Sequence, residues 1–484
     1  MRRKPLWLQS FILGGAVLLS PAYADETTLA QLHEQYKKDF VNLQEDPLIK
    51  KGHYVARAAD CMGCHGEDYA GGTLFPTPMG EIVATNITPS KEYGIGNYTL
   101  EDFKLAVREG LTPNHRLYPA MPYLSYHKMS DTDVENLFYY FQSIIPVDKH
   151  PKAQTTLDFP FSMRVMMNGF NLVNSPVDIE DSSWNEAQKR GAYLVNHLGH
   201  CADCHTPRDA TMGYKKSKHL AGNDMGHFYA PNITPDKKTG IGNWSQEDIV
   251  AFLKYGELDQ RAYAGGEMGK AVTHGLQYLT DEDLYAIAAY LQSIPAVENG
   301  YKAVALETNA LPEKYSEAIT FDLMAQIDAM NERLNATAAG SGQETYLMHC
   351  ASCHGVDGYG QPEAFYPALV GLSILRSDNT QPLIAAIGHG MEPALSTQPK
   401  MPAFAKRLSH EQIADLVNFL RTQLGGASQS AVDAKAVQRA LNHQVNAPFL
   451  VRNALLLMII GLLAVVGLII GLVVYFKKRN SQTV

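Results

Sequence analysis

The chain has 484 residues, 45% hydrophobic and 19% charged, with 50 Asp+Glu against 41 Lys+Arg and a formal net charge of −9. That length and composition describe a globular protein with room for several domains. The acidic balance argues against nucleic acid and against adhesion to anionic lipid, while leaving open the steering of a basic redox partner.

At the amino end Arg2, Arg3 and Lys4 precede an apolar run, Phe11 to Leu19, and then Pro21-Ala22-Tyr23-Ala24. A charged start, a short apolar stretch and a small-x-small site predict a signal peptide over 1–24, with the mature chain starting at Asp25. The alternative, an uncleaved anchor, has too short a run for a comfortable span. Cleavage removes three basic and no acidic residues, giving −12 for the mature chain.

Next comes Cys61-Met62-Gly63-Cys64-His65, and the same Cys-x-x-Cys-His pattern returns at Cys201–His205 and Cys350–His354, using all six cysteines. This is the attachment pattern of c-type haem: each thiol pair of Cys61/Cys64, Cys201/Cys204 and Cys350/Cys353 adds to one haem. The adjacent His65, His205 and His354 then become proximal iron ligands. Disulfides are the first alternative, but two cysteines so close would ordinarily seek more distant partners. Zinc would need two pairs together, and these lie about 140 to 150 residues apart. A thioredoxin-like motif leaves the repeated histidine unexplained. The pattern therefore predicts three covalently bound haem c groups.

Between the motifs runs an internal repeat. Asn86-Ile87-Thr88-Pro89 and Gly94-Ile95-Gly96-Asn97-Tyr98 return as Asn232-Ile233-Thr234-Pro235 and Gly240-Ile241-Gly242-Asn243-Trp244. Helical stretches are predicted after each copy, at Leu100–Gly110 and Ser245–Gly256. The third segment lacks this insertion, so the first two are the closer relatives. All three segments end in a predicted helix, opened by Ser130, Thr280 or Ser409 with Asp133, Asp283 or Gln412 three residues later, a capping-box pattern. Apolar residues follow at helical spacing, and an aromatic stands ten residues past each cap: Tyr140, Tyr290 and Phe419. Gly52, Gly191 and Gly342 precede the motifs on helical stretches, where a small residue would let the first helix cross closely over the last.

Each segment also offers a methionine before its closing helix, a thioether suited to the sixth position of a haem iron in an electron carrier. Met121 lies nine residues before its cap, Met401 eight, and Met268 twelve, which implies a three-residue insertion in the second segment. Met79, Met129, Met225 and Met391 are rivals, most methionines being core filler. His115, His127, His274 and His389 would serve a bis-histidine iron instead.

At the carboxyl end Ala454 to Phe476 is 23 residues without a charge, followed by Lys477-Lys478-Arg479. The run is long enough to cross a bilayer as a helix. Its basic flank prefers the cytoplasmic side, which puts the body in the periplasm of a bacterial inner membrane, on a single anchor. A buried core helix is the alternative.

The layout resembles the triheme cytochrome c subunits of bacterial membrane-bound dehydrogenases, those of gluconate 2-dehydrogenase, fructose and sorbitol dehydrogenases and quinoprotein alcohol dehydrogenase. The residues that carry the likeness are the three haem motifs at these spacings and the two Asn-Ile-Thr-Pro…Gly-Ile-Gly-Asn segments. Cys204-His205-Thr206-Pro207-Arg208 and the interdomain Phe159-Pro160-Phe161-Ser162 add to it. The likeness implies an all-α chain of three tandem class I cytochrome c domains plus one C-terminal transmembrane helix. Its parts are a signal peptide (1–24), domain 1 (25–150), a linker (151–183), domain 2 (184–297), a linker (298–339), domain 3 (340–427), a linker (428–453) and the span (454–476). It implies axial pairs His65 with Met121, His205 with Met268 and His354 with Met401.

The same likeness implies an electron-transfer subunit that is not catalytic alone. A separate catalytic subunit, carrying FAD or pyrroloquinoline quinone and working with or without a further small subunit, would oxidise a sugar acid, sugar, polyol or alcohol. Electrons would pass to ubiquinone or a terminal oxidase. The C-terminal span favours the flavoprotein type. Two other classes compete: a cytochrome subunit of a terminal oxidase, and a multihaem redox enzyme, which would need a haem without its methionine and a pocket with acid–base groups.

Overall fold

The computed structural model describes residues 46–301 and 340–480, apart from 152, 177, 227, 259–260, 362–365, 393–398, 427–430, 444 and 446. The expected signal peptide and most of the 298–339 linker lie outside the described residues.

Helix α1 (Pro47–Ala58) starts where Asp46 accepts the Leu48 N–H (2.8 Å) and Pro47 fills the first helical position. A single turn, α2 (Cys61–His65), follows. Helix α3 (Leu100–Glu109) opens with a reciprocal box between Thr99 and Asp102 and stops at Gly110, whose φ of 60° suits a residue without a side chain. A one-turn helix, α4 (Tyr123–Tyr126), leads into the closing helix α5 (Asp131–Ser143), capped by Ser130.

The plan returns further along. Helix α7 (Glu186–Tyr193), its π-helical continuation Leu194–Leu198, and α8 (Ala202–His205) carry the second motif. Helices α9 (Gln246–Tyr255), α10 (Gly266–His274) and α11 (Asp281–Ser293) follow. In the third unit α12 (Gly340–His349) and α13 (Ala351–His354) precede α14 (Gln381–His389) and the closing helix α15 (His410–Phe419).

The crossing of first on last helix depends on glycine in all three units. A β-carbon on Gly52 would lie 2.1 Å from the Asn136 carbonyl oxygen and 2.6 Å from Tyr140 Cβ. On Gly191 it would meet Ala286 O at 1.9 Å and Tyr290 Cβ at 2.7 Å; on Gly342, Asp415 O at 2.2 Å and Phe419 Cβ at 2.9 Å. No larger residue fits without driving the helices apart.

Two expectations need correction. The chain is mostly helical, not purely so. Strands β1 (Leu74–Thr77), β2 (Gly80–Val83) and β3 (Thr156–Leu157) form a small antiparallel sheet, with Leu74 opposite Val83 and Gly80 opposite Leu157. Gly80, at φ 122°, makes the tight turn, and Thr77 Oγ1 donates to its carbonyl (2.8 Å). Short two-residue strand pairs occur at 223–230 and 257–263.

The stretches read as linkers also carry structure. Residues 151–183 supply β3 and α6 (Met166–Val173), whose Met167 is buried against Ile82 and Tyr118. Residues 428–453 hold α16 (Ala434–Leu441), which places Val437 in the third core. Both contain apolar residues that lower their free energy by leaving water, which composition alone did not separate from connector.

One continuous core serves the first two units, joining Val55, Val134 and Phe141 to Val195, Leu284 and Leu291. The third has its own, built on Tyr346, Ile384, Ile413 and Val417. Beyond it α17 (Ala454–Asn480) contains a stretch, Ala454–Lys477, long and apolar enough to cross a membrane, with none of that stretch buried in the protein.

Candidate haem attachment sites

Each Cys-x-x-Cys-His pentapeptide folds as one helical turn, which brings two thiols and an imidazole to one end of the unit's first helix. The cysteines are unpaired. Burial pushes the thiols of Cys64, Cys201, Cys204 and Cys350 up to about 12, and that of Cys61 higher still. Thiols so raised stay protonated at neutral pH, unlike activated thiolate nucleophiles. Among the described residues no group of three or more His, Cys, Asp or Glu stands ready to hold a metal ion.

The histidines are oriented alike. Nδ1 of His65 bonds the Thr85 carbonyl (2.6 Å), that of His205 the Pro231 carbonyl (2.7 Å), and that of His354 the Pro367 carbonyl (2.9 Å). Such a bond fixes ring and tautomer and leaves Nε2 for iron. Burial lowers the pKa of all three and keeps the rings neutral, as a ligand must be. The histidine carbonyls are held too, by the N–H of Gly71, Gly222 and Gly360, each at 2.8 Å. Those glycines pack on the backbone that bears the acceptor carbonyl: a β-carbon on Gly71 would lie 2.5 Å from Thr85 C, and one on Gly360 2.7 Å from Pro367 C.

This geometry explains the Asn-Ile-Thr-Pro repeat, since Thr85 and Pro231 are the residues just before it. Asn86 Oδ1 accepts from the N–H (2.8 Å) and hydroxyl (2.7 Å) of Thr88, while Nδ2 donates to Val147 O (2.7 Å). Thr88 Oγ1 accepts the Val147 N–H (3.1 Å). Asn232, Thr234 and Val297 repeat the arrangement. The motif thus staples the segment that bears the histidine's partner carbonyl to the chain leaving the closing helix. Gly94, Gly96, Gly240 and Gly242 let the following loop fold onto it, because β-carbons there would lie 2.1 to 2.3 Å from carbonyl oxygens of the staple.

The candidate sixth ligands are placed less uniformly. Met121 is half-buried with Cys61 and Met62 at the edge of the joint core, and Met401 with Cys350 at the edge of the third. Met268 lies in the first turn of α10 and packs with Phe252 and Leu276 on Ala264 and Val272. Before its closing helix the second unit has the nine-residue helix α10, where the first unit has the single turn α4. The other methionines lie as follows. Met129 is core, the Met225 sulfur accepts from Asn223 Nδ2, and the Met79 carbonyl accepts the Asp158 N–H. Met391 exchanges backbone hydrogen bonds with Met401 (3.1 and 3.0 Å) and turns its side chain onto Gly265 of the second unit. His127 pairs with Glu109 (3.0 Å).

Sequence reading missed how the first two units embrace. The Tyr193 hydroxyl, from α7, donates to Asp133 Oδ2 (2.5 Å) and accepts the Ser130 N–H (3.1 Å) at the cap of α5. Reciprocally, the Tyr54 hydroxyl, from α1, donates to Asp283 Oδ2 (2.6 Å) and accepts the Thr280 N–H (3.2 Å) at the cap of α11. The acids expected to close the caps of α5 and α11 therefore bind a neighbour's tyrosine, while at the third closing helix Ser409 and Gln412 close on themselves. Nearer the haem motifs, Asp203 accepts from Ser125 (2.9 Å), Tyr214 (2.7 Å) and Arg208 (3.1 Å), and the Tyr126 hydroxyl donates to Ala59 O (2.8 Å). The third unit docks on the second through Ser373 on the Arg261 carbonyl (3.0 Å), Gln381 on Gly226 O (2.9 Å) and His443 on Asp224 (2.6 Å).

A helix crossed through glycine onto a closing helix, with a carbonyl-tethered histidine one turn behind a thiol pair, defines a c-type cytochrome. The donor set fits haem c. Comparison agrees: the cytochrome c family model matches residues 188–295 and 339–423. The fructose dehydrogenase cytochrome subunit of Gluconobacter japonicus is 39% identical over 461 residues, covering 90% of this chain and 92% of that one. The alcohol dehydrogenase (quinone) cytochrome c subunit of Gluconobacter oxydans is 37% identical over 82% of each chain. The gluconate 2-dehydrogenase cytochrome c subunit of Pantoea cypripedii is 36% identical over 81% of this chain and 89% of its own. The chain belongs to this family of dehydrogenase cytochrome subunits.

Proposed function

We propose that this chain carries three haem c groups on three tandem cytochrome c domains and relays electrons from a catalytic dehydrogenase subunit towards the respiratory chain. The observation that carries the reading is the 90% coverage of the chain by one dehydrogenase cytochrome subunit. What is left uncovered is too little to omit any of the three motifs between Cys61 and His354. The haem supplies a one-electron iron couple when bound. His65, His205 and His354, with Met121, Met268 and Met401, are the residues that would hold the irons. The thioethers to Cys61, Cys64, Cys201, Cys204, Cys350 and Cys353 fix each group in place. A pair of fixed axial ligands keeps the coordination unchanged between oxidation states, which suits a carrier more than an enzyme.

The charged start and short apolar run of residues 1–24, the apolar stretch from Ala454 and the basic Lys477-Lys478-Arg479 flank support a body on the periplasmic side of the inner membrane, with that flank at the cytoplasmic end. The donor is a subunit with FAD or pyrroloquinoline quinone that oxidises a sugar, sugar acid, polyol or alcohol. The acceptor is ubiquinone or an oxidase. The test is the complex purified in mild detergent, given fructose, gluconate, polyols and alcohols in turn while haem absorbance is followed. Reduction by one substrate, lost when the co-purifying subunit is stripped away, is expected. No reduction by any substrate, with a small reduced cytochrome still feeding the haems, would assign the chain to an oxidase.

A further inference from the structure

Electron transfer leaves unused a pair of residues at the interface of the first two units. Asp60 and His200 each stand immediately before the first cysteine of a motif, and each has left-handed backbone, with φ of 45° and 39°. That conformation is uncommon for a residue with a side chain and is kept only where the surroundings compensate. In Asp60 it folds the carboxylate back over the motif's own turn: a β-carbon on Gly63 would lie 2.4 Å from Asp60 Oδ2. The other oxygen, Oδ1, is fully buried and has no hydrogen-bond partner among the described residues. His200 approaches from the second unit, stacked edge-on with Tyr126 (5.6 Å) and 3.9 Å from Asp203. From α10 come Glu267 and Lys270. Arg57, the nearest cation on α1, is aimed away, donating to His274 O (2.8 Å) and lying over the Tyr278 ring (4.4 Å).

A buried carboxylate oxygen without a donor is costly as an anion. Burial accordingly pushes the Asp60 carboxyl up to about 6, against the pull of His200 and the Gly63 N–H. We propose that Asp60 is a proton-binding site tied to the haem on Cys61–His65, so that one electron arriving there is matched by one proton taken from solvent onto its carboxylate. The balance is Fe(III) to Fe(II) with the electron, and carboxylate to carboxylic acid with the proton; no other bond changes. Reduction cancels one positive charge beside the anion, weakens its stabilisation, and favours the neutral acid. By reciprocity the proton favours the reduced iron. The potential of this haem then falls as pH rises through the window between the two ionisation states. The limit is a tenfold change in the reduction equilibrium per pH unit, which is about 59 mV for one electron.

The inference rests on the three-haem reading, and the experiment separates the two. The full chain, in detergent and in its complex, is assayed for covalent haem per polypeptide, then titrated electrochemically with mediators between about pH 5 and 8. Fewer than three haems per chain would overturn the reading itself. With three present, one component is expected to slope with pH in the parent. In Asp60→Asn that component is flat and stays at the parent's acid-limit value. A slope that survives in Asp60→Asn, or a parent with no pH-dependent component, overturns the proposal. Should Asp60→Asn lose its haem, His200→Gln serves: the window moves to higher pH because a group favouring the carboxylate is gone, and an unmoved window overturns the proposal.

Discussion

Replacing Tyr54 by Phe tests whether the first two units stand or fall together. The side chain belongs to α1, yet its hydroxyl completes the cap of α11 in the other unit. Removing the oxygen deletes a 2.6 Å hydrogen bond to the Asp283 carboxylate, an interaction with a charged group worth about 1.5–3 kcal/mol. The Thr280 N–H sits at an exposed helix start and recovers a water at little cost. Asp283 also keeps Arg190, which donates from Nε and Nη2 at 2.8 Å each, so the lower end applies, about 1.5 kcal/mol. The reporter lies in the other unit: Trp184, buried edge-on to Tyr290 at 5.2 Å, and Trp244 both belong to the second. Urea denaturation followed by tryptophan emission therefore reads the second unit while the mutation sits in the first. With a slope of about 1–3 kcal/mol/M, the midpoint is expected to fall by about 0.5–1.5 M. Gln412→Ala, which opens the self-contained cap of the third unit, should leave that midpoint unmoved. An emission midpoint identical to the parent's in Tyr54→Phe would refute the coupling.

Other consequences follow from the same geometry. Gly191→Ala drives a β-carbon to 1.9 Å from Ala286 O; overpacking of about 1–3 kcal/mol outweighs the helix-propensity gain of about 1 kcal/mol, so the variant melts at lower denaturant. Met121→Leu, Met268→Leu and Met401→Leu should each convert one haem to a high-spin, carbon monoxide-binding form with a lower potential, read by absorption and redox titration. If Met268→Leu leaves all haems low-spin, the second axial pair is wrong. Asp283 has a lowered pKa: burial raises it, but the hydrogen bonds of Arg190 and Tyr54 and the Arg190 charge prevail. Its stabilisation is complete above the ordinary carboxylate value, near pH 4, and is lost as pH falls through the lowered one. Asp283→Asn should therefore be less stable than the parent at neutral pH, the gap closing in acid.

Much of this was written locally and could be read locally. A thiol pair and its histidine fit in five residues, a helix cap in four, and the glycine at each crossing is marked by the aromatic that follows ten residues past a cap. The Asn-Ile-Thr-Pro segment announced itself by repetition, though its task, holding the segment that tethers the histidine, depends on contacts with Val147 and Val297, 61 and 65 positions on. What escaped depends on distance in the chain. Tyr54 and Asp283 are 229 positions apart, and a half-buried tyrosine on a helix looks alike whether it faces its own core or a neighbour's. What sets Asp60 apart is its backbone angle and buried oxygen, neither of which composition or spacing marks. Helix α6, with Leu172 and Val173 exposed beside a buried Met167, carries too mixed a pattern to be told from a connector.

One residue per closing helix separates the paired units from the third. Asp133 and Asp283 are short acids at the third helical position; a neighbour's tyrosine hydroxyl reaches each, and then accepts the cap N–H that the acid leaves open. Gln412 reaches its own cap N–H instead (2.9 Å to Ser409), as Asp102 does at Thr99, so the neighbour's tyrosine and not the length of the side chain sets the caps apart. The partner tyrosines follow the same division: two residues past the crossing glycine stand Tyr54 and Tyr193, but Glu344 in the third unit. The joint core of the first two units and the separate core of the third are the same division at larger scale. The first two motifs thus share one core, and Asp60 stands at the junction of their units. The third meets the second through the polar contacts of Ser373, Gln381 and His443 and is followed by the apolar helix α17.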